Sequence, residues 1–315
     1  MKRRRYEFFN GVIILKVMVT GGAGFIGSHI VDLLIQEGHE VLVVDNLVTG
    51  KKKNINPRAK FYKLDILDFE LEEIIKREAP EVIIHQAALV YVQQSLQKPL
   101  EDGKVNILGT LNILRLANLY GVKKVIYAST CAVYGESLGK WSNEEDPINP
   151  ISFYGASKYM AESYLKLFHK LYGLDFTILR YGNVYGLGQN SQGEGGVIPI
   201  FLEKIKRGRA PIIFGDGEQT RDFVYVKDVA RANILALNKG AGETLNIGTG
   251  IGTSINNLYQ SLREILHFSI HPLYQWQRLG DVKHICLNPN KAREVLGWQP
   301  RYSLHEGLVE CLGGW

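Results

Sequence analysis

The chain has 315 residues, 45% apolar and 22% charged, with 33 glycines and 10 prolines. That excludes a collagen-like, disordered or disulfide-stapled chain and leaves room for one large domain or two medium ones. The net charge of +5 is no nucleic-acid signature, because Lys2, Arg3, Arg4 and Arg5 against Glu7 supply three of the five charges and leave two on residues 8–315.

The basic start and the apolar run Val12–Val19 do not read as a signal peptide, since Lys16 interrupts the run and no small-residue cleavage pattern follows. Eight residues are also too few to span a membrane, so no membrane partner is expected. Cys131, Cys286 and Cys311 are scattered, which fits a reducing, cytoplasmic setting and offers no metal-ligand spacing. No metal is expected.

In chain order, Leu15–Thr20 reads as an apolar strand, followed by a glycine cluster and an amphipathic helix from Phe25 to Glu37. Strands are expected at Glu40–Asp45, Lys60–Leu64, Val82–Gln86, Lys123–Ala128 and Phe176–Arg180, alternating with helices near 70–78, 104–120 and 153–172. Wholly apolar strands separated by helices predict an α/β fold built on a doubly wound parallel sheet. Beyond Asn183 glycine and proline become frequent, Gly193 and Gly195 among them, which predicts a smaller, loop-rich substrate lobe. Phe223–Val226 and Thr244–Ile247 are expected to return to the main sheet and interleave the two parts.

Between the first strand and helix lies Thr20-Gly21-Gly22-Ala23-Gly24-Phe25-Ile26-Gly27. Gly21 permits a tight turn, Gly24 lets backbone approach phosphates, Gly27 lets helix and strand pack closely, and the helix start supplies free amides. Such turns also occur for structural reasons alone, but Asp45 ends the second strand eighteen residues after Gly27. A carboxylate there accepts hydrogen bonds from ribose hydroxyls and repels a 2′-phosphate, which favours NAD over NADP.

Tyr154-Gly155-Ala156-Ser157-Lys158 opens the long helix near 153–172 and puts Tyr154 and Lys158 on one face. A nearby ammonium favours an ionised tyrosine, and the pair suits acid–base work on a hydroxyl. Alone, this spacing is common on ordinary amphipathic helices.

The motifs TGGAGFIGSH, VVDN, HQAA, NILGTLN, STCAVYGE, YGASK, RYGNVYG, GDGEQTRDFVYVKDVA, LNIGTG and RLGD followed by KAREVLGW together resemble the extended short-chain dehydrogenases/reductases. Within the NAD-dependent epimerases and dehydratases of that group, the chain is most similar to nucleotide-sugar epimerases of the UDP-glucose 4-epimerase type. The resemblance runs from Leu15 to Val309 and leaves residues 1–14 as an N-terminal extension. It implies a Rossmann NAD-binding domain over 15–182, with returns near 221–248, and a nucleotide-sugar lobe over 183–315.

By resemblance, Thr130, Tyr154 and Lys158 are the catalytic triad, with Lys158 also on the nicotinamide ribose. Gly21, Gly24, Phe25, Ile26, Gly27, Asp45, Asn46, Asp65, Ile66, Ala87 and Ala88 would contact NAD, Asp65 and Ile66 at the adenine. Thr130, Tyr154, Asn183, Arg221, Arg278 and Asp281 would contact a UDP-sugar, the arginines pairing with its phosphates. Asn106 matches a buried helix asparagine that ties neighbouring segments together. Cys131 and Ala132 after Thr130 match the epimerase pattern rather than the acidic pair of the sugar dehydratases. The implied reaction is epimerisation at carbon 4 through a transient 4-keto sugar. An epimerase of UDP-N-acetylglucosamine, UDP-glucuronate or UDP-xylose, an NAD(P)H-dependent keto-sugar reductase and a dinucleotide-sensing regulator stay open. Ile285, Tyr91 and Gly182 are the positions expected to shape the sugar pocket. The helices near 104–120 and 153–172 match those that pair relatives into homodimers.

Overall fold

The computed structural model describes residues 8–9, 12–137, 139–190, 196–278 and 280–313. Most of the 1–14 extension, Gly193, Gly195 and Leu279 lie outside the described residues. In chain order the elements are β1 (Phe8–Phe9), β2 (Val12–Ile13), β3 (Lys16–Thr20), α1 (Phe25–Gln36), β4 (Glu40–Val44), β5 (Lys60–Tyr62), α2 (Glu70–Glu78) and β6 (Val82–His85). Next come α3 (Val92–Gln97), α4 (Pro99–Gly103), a π-helical stretch (Lys104–Gly109), α5 (Thr110–Leu119), β7 (Lys124–Thr130), α6 (Phe153–Tyr172), β8 (Asp175–Tyr181) and β9 (Asn183–Tyr185). The chain finishes with α7 (Val197–Lys206), β10 (Ile212–Phe214), β11 (Thr220–Tyr225), α8 (Val226–Ala236), β12 (Glu243–Ile247), β13 (Gly252–Ser254), α9 (Ile255–Leu266), β14 (Leu273–Gln275), α10 (Asn290–Leu296) and α11 (Leu304–Leu312).

Seven parallel strands form the main sheet in the order β12-β8-β7-β6-β3-β4-β5. The order reverses direction at β3, and ligands of open α/β sheets bind beyond the strand ends at such a switch. Alternation along β3 shows why both faces must be apolar: Val17 and Val19 pack into one core with Ile30 and Leu34, while Met18 faces the other with Ile75 and Leu165.

The second part is more ordered than its glycine content suggests. β11 pairs with β9 and β13 in a separate three-stranded sheet, and β10 pairs with β14. The expectation that both Phe223–Val226 and Thr244–Ile247 rejoin the main sheet is therefore corrected. Only Glu243–Ile247 does so, against β8. Residues of β11 alternate between cores, Val224 toward the main sheet and Phe223 and Tyr225 toward the α7, α9 and α11 side, so its apolar run serves two layers.

Candidate active site

The glycine loop is built by close backbone approach. Gly21 adopts φ +70°, and a Cβ on it would lie 2.7 Å from the Ala87 nitrogen; a Cβ on Gly27 would lie 2.2 Å from the Gly21 carbonyl oxygen. Asp45, at the end of β4, clamps the loop from the side by accepting the Ala23 amide at 3.0 Å and the Leu47 amide at 2.8 Å. Each carboxylate oxygen keeps acceptor capacity for a further donor. Asn46 donates to Asp65 at 2.7 Å, joining the ends of two neighbouring loops.

Beyond these strand ends opens a cavity of about 480 Å³, large enough for a good part of a nucleotide. All the residues expected at NAD other than Tyr154 and Lys158 line it, from Gly21 through Asp45 and Asp65 to Ala88. Leu89, Val90 and Tyr91 also line it, and the Leu89 backbone is tied through Asn106 to Ser157 of α6.

α6 carries Tyr154 and Lys158 in its first two turns. Ser152 caps it by accepting the Gly155 amide at 3.1 Å, and Ser95 of α3 accepts the Tyr154 amide at 3.1 Å, so the helix start is held from both sides. Thr130 ends β7 and accepts the Ala132 amide at 3.2 Å, and a Cβ on Gly155 would lie 2.5 Å from the Ala132 carbonyl oxygen, so the start of α6 sits against the turn that follows Thr130. Tyr154 and Lys158 come from the spacing on α6, and Thr130 from the resemblance. The electrostatics differ from expectation: burial pushes the Tyr154 phenol above its ordinary value, Thr130 opposing, and the Lys158 ammonium lies over the Tyr127 ring at 4.3 Å. Burial also pushes Lys158 down to about 7. Loss of hydration is the largest cause in both cases.

The second part brings its residues to the same strand ends. Arg221 of β11 is pushed below its ordinary value by burial, with the charges of Asp281, Cys131 and Glu136 opposing. Asp281 is likewise flanked by Arg221 and Arg278, and Arg278 stacks on the Phe214 ring at 3.6 Å. Asn183 opens β9 with a buried side-chain oxygen that has no partner among the described residues. The Cys131 thiol is pushed up to about 11 by burial and packs with Val133, Tyr134, Ile285 and Leu287, which fits a filler and not a nucleophile. Gly182 has a structural reason to lack a side chain, because a Cβ there would lie 2.8 Å from the Asp222 carbonyl.

Two further residues hold the site together, Asn106, which the resemblance picks out, and Asp222, which it does not. Asn106, in the π-helical stretch, donates to Leu89 O (2.9 Å), Asp102 (3.0 Å) and Ser157 (3.1 Å) and accepts the Leu89 amide (2.9 Å), tying the cofactor loop to α6. Asp222 accepts amides of Thr249, Gly250 and Leu287 and the Thr249 hydroxyl, holding two segments to β11 next to Arg221. The partners of Asp222 lie 27 to 65 residues away in sequence, so the motif that contains it does not report its role. Among the described residues no His, Cys, Asp and Glu side chains gather as metal ligands do.

Residues 17–248 match the model of the NAD dependent epimerase/dehydratase family. The chain is 40% identical over 305 residues to the UDP-glucose 4-epimerase of Mycolicibacterium smegmatis, covering 95% of this chain and 97% of that one. It is similar to the crystal structure of UDP-glucose 4-epimerase with UDP-glucose from Thermotoga maritima, at TM-score 0.93 and 48% identity over 94% of this chain and 97% of that one. A UDP-N-acetylglucosamine 4-epimerase from Methanobrevibacter ruminantium, solved with UDP-N-acetylmuramic acid, gives TM-score 0.90 and 37% identity over 96% and 99%. The chain belongs to the NAD-dependent epimerase/dehydratase family.

Proposed function

We propose that this member of the family is an NAD-dependent UDP-sugar 4-epimerase of the UDP-glucose/UDP-galactose type. The observation that carries the reading is the meeting of two chemistries at one set of strand ends: Tyr154 and Lys158 open α6 against the turn that follows Thr130, and Asp222, next to Arg221 on β11, holds the Leu287 amide of the segment that packs on Cys131.

NAD fits the residues present. Gly21 and Gly27 leave a cradle that a Cβ would fill, and Asp45 keeps acceptor capacity beside it. When bound, NAD supplies the acceptor and donor of the hydride at carbon 4. Tyr154, once ionised beside the positive charge of Lys158, takes the proton of the 4-hydroxyl as tyrosinate and later returns it, and Thr130 hydrogen-bonds the same oxygen. Arg221 and Arg278 hold the diphosphate by charge-assisted bonds, with Asn183 and Asp281 completing the anchor on the diphosphate and ribose. An anchor confined to the nucleotide lets the 4-keto sugar present its other face. The extra acid–base pair that elimination would need is missing at Cys131 and Ala132.

A larger substrate is the second reading, favoured by the likeness to a UDP-N-acetylglucosamine 4-epimerase; the mid-sized Ile285 packed beside Cys131 neither admits nor excludes an N-acetyl group. A homodimer is also part of the proposal. Met160, Leu167 and Leu171 form an exposed apolar row on α6, with Leu108 and Leu119 exposed on the neighbouring helical stretch. A cytoplasmic setting accords with three free cysteines, and no helix among the described residues is long and apolar enough to cross a membrane.

The test is product analysis by NMR of a panel of UDP-sugars with purified protein and no added reductant. UDP-glucose and UDP-galactose are expected to equilibrate, and Tyr154→Phe to lose about 10²-fold or more of that rate. Unchanged UDP-glucose and UDP-galactose with turnover of the N-acetylated pair would move the assignment to the second reading. Net oxidation of added NADH would make the protein a reductase.

A further inference from the structure

Lys158 and Asp102 are 3% and 2% exposed, and each lacks a contact partner of opposite charge among the described residues. The Lys158 ammonium rests on the Tyr127 ring face. Asp102, on α4, accepts Asn106 Nδ2 at 3.0 Å on one oxygen, while its other oxygen is buried with no partner. The same Asn106 nitrogen reaches the hydroxyl of Ser157, the residue before Lys158, at 3.1 Å, so Asp102 is fixed against the turn that carries the lysine.

The groups around Lys158 can be assigned one by one. From its own helix, Glu162 is already engaged by Arg180 at 2.9 and 2.6 Å and by the Ser129 hydroxyl at 2.5 Å, and Tyr154 is a neutral phenol. From β6, His85 sits between Thr20 and Thr110 and is kept neutral by burial, which pushes it down to about 3. β7 contributes Tyr127, also neutral. α4 contributes Asp102. A buried charge without a counter-charge is strongly unfavourable, and Asp102 is the carboxylate left to serve.

We propose that Asp102 is a positioning residue whose carboxylate, across the Asn106–Ser157 bridge, is the counter-charge that keeps the Lys158 ammonium charged beside Tyr154. The proposal rests on reading Tyr154 and Lys158 as the proton-transfer pair. Burial lowers Lys158, and Asp102 is the first of the charges that oppose the fall. Without it the lysine discharges at lower pH and its help to Tyr154 disappears from the alkaline side.

The experiment compares pH–rate profiles of epimerisation for wild type, Asp102→Asn and Asp102→Glu, and melting of Asp102→Asn with and without Lys158→Met. The alkaline limb of Asp102→Asn is expected to move down by about one pH unit, a tenfold loss on that side, while Asp102→Glu keeps the wild-type limb. The melting loss from Asp102→Asn is expected to shrink or reverse in the Lys158→Met background, because both buried charges are then gone. Parallel profiles with equal melting losses in both backgrounds would overturn the proposal. If Asp102→Asn alone fails to fold, folding of the double variant supports the pairing and failure of both overturns it. Should wild type not epimerise any UDP-sugar, the functional reading fails, and the melting cycle still decides whether the two charges are coupled.

Discussion

Arg180 and Glu162 form a bidentate ion pair, Nε to Oε1 at 2.9 Å and Nη2 to Oε2 at 2.6 Å, with side chains 2% and 0% exposed. Ser129 donates to the same carboxylate and Arg180 also donates to the Tyr134 hydroxyl and Glu144 carbonyl, so α6 is locked to β7 and β8 directly behind Thr130. Arg180→Met strands the carboxylate and is expected to cost about 3–5 kcal/mol of stability in urea denaturation. A loss below about 1 kcal/mol would show that the pair does not hold α6 in place.

Gly27 sits where a side chain has no room. Gly27→Ala forces its Cβ onto the Gly21 carbonyl, 2.2 Å away, and opens the loop that Asp45 clamps. The variant is expected to purify with at least tenfold less NAD than wild type, read by absorbance and chromatography of cofactor released on denaturation. Equal NAD content would remove the glycine loop from the binding site.

Glu78 is held down to about 2 by hydrogen bonds from Lys60 and Tyr62, with Arg77 adding a third. A carboxyl group lowered on folding contributes stability that is present above its unfolded range near ~4.3 and is lost as pH falls toward 2. Glu78→Gln is therefore expected to lower the melting temperature modestly at pH 7, its partners being exposed, and the gap should close between pH 5 and 2. A gap independent of pH would contradict this assignment.

The α6 row predicts the assembly. Leu167→Glu places a charge among Met160, Leu167 and Leu171, and is expected to turn a dimer into a monomer in sedimentation or light scattering without loss of helix signal. A monomeric wild type would leave the row without a second copy to cover it.

The Rossmann half is legible because local and global preferences agree there. Val17, Val19, Val43 and Val44 form apolar strands, and the glycine turn and Asp45 follow at positions set by backbone geometry. The second part is less legible because its strands are short and serve more than one layer. Phe223 and Val224 look like any apolar run, and only the pairing of β11 with β9 and β13 decides that they leave the main sheet. The triad could be found from Tyr154 and Lys158, and Asn106 from the resemblance, whereas the roles of Asp102, Glu162 and Arg180, which hold the site's charge balance, depend on burial and contacts that no motif reports. The sign of the Tyr154 shift depended on burial, which a spacing does not report.

The most direct test of the central claim is the fate of the hydrogen on carbon 4. With UDP-[4-²H]glucose in ordinary water, a hydride taken and returned within one site gives UDP-galactose that keeps deuterium at carbon 4, read by ¹H NMR and mass spectrometry. Product that has exchanged this deuterium for solvent hydrogen, or no UDP-galactose at all, would contradict the account.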